Sequence, residues 1–222
     1  MGSLQVLLVS FVPGLLWLLH FYRKDSANPE PVPVVLRAFI FGVIMVIPAG
    51  VAEAPLHIFI QRQTSTLGFI FAMIVTVGLI EESAKYLALR LSTFSKTMVD
   101  EPVDGIVYGI SAGLGFAAAE NFLYAAAYGL EVGLVRAVVT CLVHASFTAI
   151  VGYAYGQSIL NNYGHSAVVL AVVLAAVLHG LYNYLVVSRA LDGGLLLVLV
   201  AGFYVYLAKA IDSRVEESRH EG

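Results

Sequence analysis

The chain has 222 residues, of which 59% are hydrophobic and only 12% charged, and its formal net charge is −3. Soluble domains carry about 25% charged residues, so this composition excludes an ordinary soluble domain. It indicates a multi-pass protein of the cell membrane. The few charges, slightly acidic in balance, also argue against a nucleic-acid partner. The lipid bilayer is therefore the expected environment.

Apolar segments long enough to cross about 30 Å of hydrocarbon follow one another along the chain. The first, Ser3 to Phe21, has neither a basic region before it nor a small-residue cleavage site after it, so we interpret it as a retained span. Six more spans are predicted at 34–52, 67–91, 103–128, 132–157, 165–187 and 193–211. These segments predict an all-α polytopic membrane protein with about seven transmembrane helices. We expect a single helical domain over residues 1–211 and a short polar cytoplasmic tail over 212–222.

The positions of the 12 basic residues predict the orientation, because cytoplasmic flanks collect Lys and Arg. With the amino terminus outside and the carboxyl terminus cytoplasmic, Lys85 lies in the membrane. The cytoplasmic side then holds Arg23, Lys24, Arg37, Arg90, Lys96, Lys209, Arg214 and Arg219. The outer side holds Arg62, Arg136 and Arg189.

Two local patterns bear on packing. Residues 53–66 carry enough apolar side chains for an interfacial helix, although an ordinary external loop fits them equally well. In the fourth span, Gly105, Gly109, Gly113 and Ala117 recur every four residues. Such a stripe of small residues lets a second helix approach closely.

Ionisable residues inside the predicted spans are the main functional signal. Glu81, Glu82 and Lys85 occupy one turn of the third span, where each ionised group costs roughly 2.5–3.5 kcal/mol. Glu120, His144 and His179 recur in later spans at a similar estimated depth. Carboxylates and imidazoles gathered in hydrocarbon indicate a metal site or a proton path.

The residue types favour a catalytic zinc site. Two histidines and a carboxylate are a common zinc ligand set, and the open fourth position holds a water whose pKa falls toward about 7. We therefore predict that zinc is bound by His144, His179 and Glu120. Either Glu81 or Glu82 then acts as the general base, and the other pairs with Lys85 as a structural counter-ion.

Two asparagines and one cysteine accompany these residues. Asn183 lies four residues after His179, on the same helix face, and could orient the imidazole or donate to an oxyanion, although helix packing explains it equally well. Asn121 is a candidate for supporting the metal ligands. Cys141 is interpreted as an inert buried thiol.

The ordered motifs resemble a known family. Glu81-Glu82-Ser83-Ala84-Lys85, Phe116 to Asn121, His144 and His179 to Asn183 are similar to the motifs of the PrsW family of intramembrane metalloproteases. They also resemble the wider group of CAAX prenyl proteases, which carry histidine where this chain has Glu120. The resemblance implies an intramembrane endopeptidase that cleaves membrane-anchored proteins such as anti-sigma factors.

Two other functions remain open from the sequence. The same carboxylates and histidines could carry protons or cations through a transporter or channel. A non-catalytic scaffold could keep them as inter-helix pairs. The oligomeric state is not predicted.

Overall fold

A computed structural model of the chain describes residues 2–24, 28–94, 98–161 and 165–221. The described residues form helices and connecting turns. The helices are α1 (Ser3–Lys24), α2 (Val32–Glu53), α3 (His57–Gln61), α4 (Thr66–Met73), α5 (Leu79–Ser92), α6 (Pro102–Tyr128), α7 (Leu130–Leu160), α8 (His165–Val187) and α9 (Gly193–Glu221). A 3₁₀ turn (Ala54–Leu56) precedes α3, and a π-helical segment (Ile74–Gly78) joins α4 to α5.

Seven helical stretches within the described ranges are long and apolar enough to cross a membrane. They are Ser3–Lys24, Val32–Gln61, Thr66–Ser92, Val103–Tyr128, Leu130–Leu160, His165–Val187 and Gly193–Ser213. The prediction of an all-α membrane protein with about seven spans is therefore confirmed.

Helices α6 and α7 form the centre of the bundle. The most apolar windows of these two spans are 78% and 72% buried, against 28% for α1 and 17% for α9. Their contact runs along the predicted stripe: a Cβ on Gly105 would lie 2.2 Å from the carbonyl oxygen of Gly152, and one on Gly113 would lie 2.8 Å from that of His144. These contacts confirm the close approach and set α6 against the turn of α7 that carries His144.

A second close approach brings α8 against the π-helical segment. A Cβ on Gly78 would lie 2.2 Å from the carbonyl oxygen of Ala176, and one on Gly180 would lie 2.5 Å from the Cα of Ile74. Only glycine fits at these two positions. The π-helical turn ends at Gly78, immediately before the turn that carries Glu81 and Glu82, and such turns often occur at functional sites.

The connection over residues 53–66 is partly helical, because the 3₁₀ turn and α3 occupy Ala54 to Gln61. Its apolar side chains at Ile58 and Phe59 are exposed, as expected for a segment at the membrane interface.

At the carboxyl end, α9 continues to Glu221, past the predicted end of the last span at residue 211. Lys96 lies outside the described residues, as do the side chains of Arg214 and Arg219. The orientation in the membrane and the division at residue 211 stay predictions.

Candidate active site

Helix α5 supplies three of the charged residues, and they bind one another. Lys85 Nζ lies 3.0 Å from Glu81 Oε2 and 2.8 Å from Glu82 Oε1. The spacings of four and three residues put all three groups on one side of the helix. Lys85 also lies over the ring of Phe116, 4.5 Å from its centroid. Lys85 and Glu82 are fully buried, so the ammonium compensates charges that water cannot reach.

His179 on α8 is held by the buried carboxylate of Glu82. Its Nδ1 lies 2.8 Å from Glu82 Oε1, the same oxygen that binds Lys85. When Nδ1 carries the proton and donates to Glu82, Nε2 is left as a free acceptor. This Nε2 lies 3.8 Å from Glu81 Oε2.

His144 on α7 is arranged in the same way with the two ring nitrogens exchanged. Its Nε2 lies 3.2 Å from Glu120 Oε2, and Glu120 Oε1 is bound by Arg136 Nη2 at 2.8 Å. Its Nδ1 is buried and has no hydrogen-bond partner among the described residues. This Nδ1 lies 3.9 Å from Glu81 Oε2.

The two imidazoles therefore converge on one carboxylate. Donor atoms of Glu81, His144 and His179 all lie within 4.8 Å of one another, and all three residues are buried. The two ring centroids are 5.0 Å apart. Each histidine turns one nitrogen toward Glu81 and the other toward an outer carboxylate, which is Glu82 for His179 and Glu120 for His144.

This arrangement fits a divalent metal ion. Tetrahedral zinc with ligand bonds near 2.1 Å separates its donor atoms by about 3.4 Å. The distances from Glu81 Oε2 to the two imidazole nitrogens, 3.9 and 3.8 Å, exceed that by only about 0.4–0.5 Å. The unpartnered Nδ1 of His144 is the buried polar atom that a ligand bond would satisfy. An outer carboxylate on the second nitrogen of each ring is usual for metal-bound histidines.

A cavity of about 610 Å³ opens beside this group. Glu81, Glu120, Arg136 and Asn183 line it, whereas the fully buried Glu82 does not. Its remaining wall is mostly apolar and comes from α2, α3, α4, α6 and α8. A peptide entering the cavity would meet Glu81 and Glu120 before any other carboxylate of the central group.

Behind Glu120, a hydrogen-bonded chain fixes Arg136. The Oδ1 of Asn121 accepts from Arg136 Nε at 3.3 Å and from Thr140 Oγ1 at 2.9 Å. The guanidinium also lies 3.7 Å from the ring centroid of Tyr124. Asn121 thus supports Glu120 through Arg136. Cys141 is buried and receives a weak contact from Asn121 Nδ2 at 3.7 Å.

Every residue predicted for the site lies in this region, but not in the expected grouping. Among the described side chains, the three-donor group contains Glu81 and omits Glu120. This grouping favours Glu81 over the predicted Glu120 as the third ligand, since Glu120 lies beside Nε2, the outer nitrogen of His144. Asn183 faces the cavity and does not bind His179, whose Nδ1 is held by Glu82.

Sequence reasoning missed Arg136, which was counted only as a basic residue of the outer flank. A signal was present: Arg136, Thr140 and His144 recur every four residues and so share one face of α7. Glu53, a further carboxylate lining the cavity, was also missed.

Comparisons with known proteins place this chain in a family. Residues 30–209 match the family described as PrsW family intramembrane metalloproteases. Protease PrsW of Bacillus subtilis is 33% identical over 185 residues, covering 82% of this chain and 83% of the relative. The Geobacillus kaustophilus protein of the same name is 34% identical over 182 residues, with coverages of 80% and 77%. Protease PrsW of Clostridioides difficile is 28% identical over 191 residues, with coverages of 82% and 79%. No solved structure matches significantly.

Proposed function

Because the chain belongs to the PrsW family of intramembrane metalloproteases, it is a protease embedded in the membrane, and we propose that Glu81, His144 and His179 hold its metal ion. The observation that carries this proposal is the convergence of two free imidazole nitrogens on Glu81 Oε2, at 3.8 and 3.9 Å. Zinc is the proposed ion, since two imidazoles and one carboxylate are a donor set that it prefers. Bound zinc supplies a Lewis acid that polarises a carbonyl and makes a bound water more acidic.

The outer carboxylates orient the ligands. Glu82 accepts the Nδ1 proton of His179, which fixes the tautomer that leaves Nε2 free. Glu120 occupies the corresponding position for His144, with its Oε2 3.2 Å from Nε2. Lys85 and Arg136 hold these two carboxylates in turn, so each ligand orientation depends on a cation.

We assign the proton-accepting role to Glu120. A general base must reach the water in the cavity, which excludes the fully buried Glu82. Glu81 reaches the cavity but is assigned to the ion. Glu120 lines the cavity, and its side chain is 17% exposed there. The sequence-based hypothesis instead made Glu120 a ligand and either Glu81 or Glu82 the general base.

Asn183 is proposed to stabilise the transition state. Its side chain lines the same cavity as Glu81 and Glu120 and can donate an amide hydrogen to the oxygen of the scissile carbonyl. The carbonyl must first be released from helical hydrogen bonding, because a helix satisfies its own backbone groups.

The proposed substrates are membrane-anchored proteins of the anti-sigma-factor type, as the family resemblance implies. Their cleaved segment carries helix-breaking residues, since an intact helix cannot present an extended peptide to the cavity.

The test is cleavage of a fluorescent single-span anti-sigma factor by the purified protein in liposomes. Wild-type protein with zinc is expected to cleave it, a chelator to stop cleavage, and added zinc to restore it. Cleavage that continues after metal analysis shows complete removal of the ion would contradict the metal-dependent function. Absence of cleavage by fully metal-loaded protein would contradict the substrate class.

A further inference from the structure

A second cluster of acidic side chains lies outside the site, where α6 begins. Donor atoms of Glu30, Asp100 and Asp104 lie within 4.8 Å of one another. Glu30 precedes α2, whereas Asp100 and Asp104 flank the start of α6. The cluster therefore joins two segments that are distant in sequence.

Two of these three carboxylates are removed from solvent. Glu30 is 5% exposed and Asp104 is fully buried, while Asp100 is exposed. Burial raises the pKa of the Glu30 carboxyl above its ordinary value; hydrogen bonding with Asp104 and Tyr108 lowers it, and the charges of Asp100 and Glu101 raise it. Ionised carboxylates in such a place need compensation from a cation or a proton.

The N–H and hydroxyl donors around the cluster leave one buried carboxylate oxygen without a donor. Asp104 Oδ2 accepts the backbone N–H groups of Asp100 and Glu101 at 2.8 and 2.7 Å. Glu30 Oε2 accepts from the hydroxyl of Tyr108. Asp104 Oδ1 is buried and receives no N–H or hydroxyl group of the described residues, and a hydrogen bond with Glu30 requires a proton on one of the two carboxyls. This oxygen therefore needs either a shared proton or a cation, because buried carboxylate oxygens are ordinarily bonded.

Protein cations do not fill this position in the described part of the chain. None of the ion pairs there includes Glu30, Asp100 or Asp104. Lys24, at the end of α1, is paired with Asp212 at 2.9 Å. The active site differs, because Lys85 and Arg136 compensate its carboxylates.

We propose that Glu30, Asp100 and Asp104 bind a hard divalent cation, Ca²⁺ or Mg²⁺, which ties the segment before α2 to the start of α6. All three donors are carboxylate oxygens, the ligands these ions prefer, and the set lacks the imidazole and thiolate groups that favour zinc. The exposed Asp100 leaves one side open, so water completes the coordination. Because α6 carries Glu120, the ion stabilises a helix of the active site from its opposite end.

The experiment measures ion binding to the purified, zinc-loaded protein at alkaline pH, where carboxylates are ionised. Radioactive Ca²⁺ in equilibrium dialysis reports binding, and Mg²⁺ competition distinguishes the two ions. Thermal unfolding is recorded in parallel, since a ligand that binds only the folded state raises the melting temperature. The variants are Asp100→Asn, exposed and safe for folding, and Asp104→Asn. Glu131→Gln, an exposed carboxylate at the start of α7, is the matched control.

Wild type and Glu131→Gln are expected to bind one ion and to melt about 5 °C higher when the ion is saturating. Asp100→Asn should weaken binding about tenfold or more, and Asp104→Asn should abolish it. Equal Ca²⁺ and Mg²⁺ binding by wild type and Asp100→Asn would overturn the proposal. The proposal would also be overturned if neither ion changed the melting temperature and that temperature fell as pH rises. A proton shared between Glu30 and Asp104 would then compensate these two carboxyls.

Discussion

The two histidines of the site are held in the same way but in different surroundings. On the His179 half, the side chains of Glu82 and Lys85 are both 0% exposed. On the His144 half, the corresponding Glu120 and Arg136 are 17% and 20% exposed. Each histidine thus lies against a carboxylate, and each carboxylate is paired with a cation. Only the pair on the His144 half, Glu120 with Arg136, lines the cavity.

We infer from this difference that the closed half stabilises the site, whereas the open half takes part in the reaction. Charges that water cannot reach are costly to unpair, so the closed half, Glu82 with Lys85, holds the site together. A partly solvated pair is cheaper to break and free to exchange partners with a substrate or a water. We therefore expect substitutions in the closed half to act through stability and metal binding, and those in the open half to act through turnover.

Lys85→Met should have the largest effect. It leaves Glu81 and Glu82 buried without their cation, and removing one partner of a buried pair costs about 3–5 kcal/mol. The expected result is a large fall in folded yield and in melting temperature. Lys24→Met is the matched control, because its pair with Asp212 is exposed and is worth about 0–1 kcal/mol. Unchanged stability of Lys85→Met with complete loss of turnover would instead indicate that Lys85 takes part in the reaction.

Asn183→Ala tests the open half. Loss of one donor to the developing oxyanion typically lowers kcat about 10²–10³-fold, or about 2.7–4 kcal/mol. Metal content and melting temperature should stay at wild-type values, because Asn183 lines the cavity without holding either histidine. A raised KM with unchanged kcat would show that Asn183 only binds the substrate.

Glu82→Gln keeps the shape of the side chain but removes the charge that orients His179. Loss of such an outer partner typically lowers metal affinity about 10–100-fold, or about 1.4–2.7 kcal/mol. Competition with a chelator measures this affinity. Glu53→Gln provides the control, since Glu53 lines the same cavity outside the three-donor group. Equal affinities in the two variants would remove the proposed role of Glu82.

Arg136→Met should destabilise the protein far less than Lys85→Met. Its pair with Glu120 is partly exposed, so we expect a loss of about 1 kcal/mol or less in unfolding free energy and roughly a tenfold fall in kcat. Arg136→Lys should recover part of kcat because it keeps the charge. If Arg136→Met unfolds as readily as Lys85→Met, the distinction between the two halves fails.

Sequence periodicity and composition were enough to predict the seven spans, because a bilayer admits few backbone solutions. The close contact of α6 with α7 followed from the glycine stripe for a similar reason. Which ionisable residues belong to the site could also be predicted, because such groups are costly in hydrocarbon unless they have a function. These residues are Glu81, Glu82, Lys85, His144 and His179.

The pairing within the site could not be predicted in the same way. Depth along a helix carries an error of about one turn, and it does not say which way a side chain rotates toward its neighbours. Depth alone therefore led to Glu120 as the predicted ligand, whereas the packing of α5, α7 and α8 brings Glu81 beside both histidines. The π-helical turn before α5 added to this uncertainty. Its wider turn changes the direction in which the side chains of α5 point, and no clear sequence pattern predicts such a turn.

The central claim is that Glu81, and not Glu120, completes the metal site with His144 and His179. The most direct test is the zinc content of purified Glu81→Gln and Glu120→Gln proteins, measured by elemental analysis beside turnover. We predict that Glu81→Gln loses both zinc and activity, whereas Glu120→Gln keeps about one zinc per chain and loses activity, because a proton acceptor is not a ligand. Zinc retained in Glu81→Gln and lost in Glu120→Gln would contradict the account and make Glu120 the ligand.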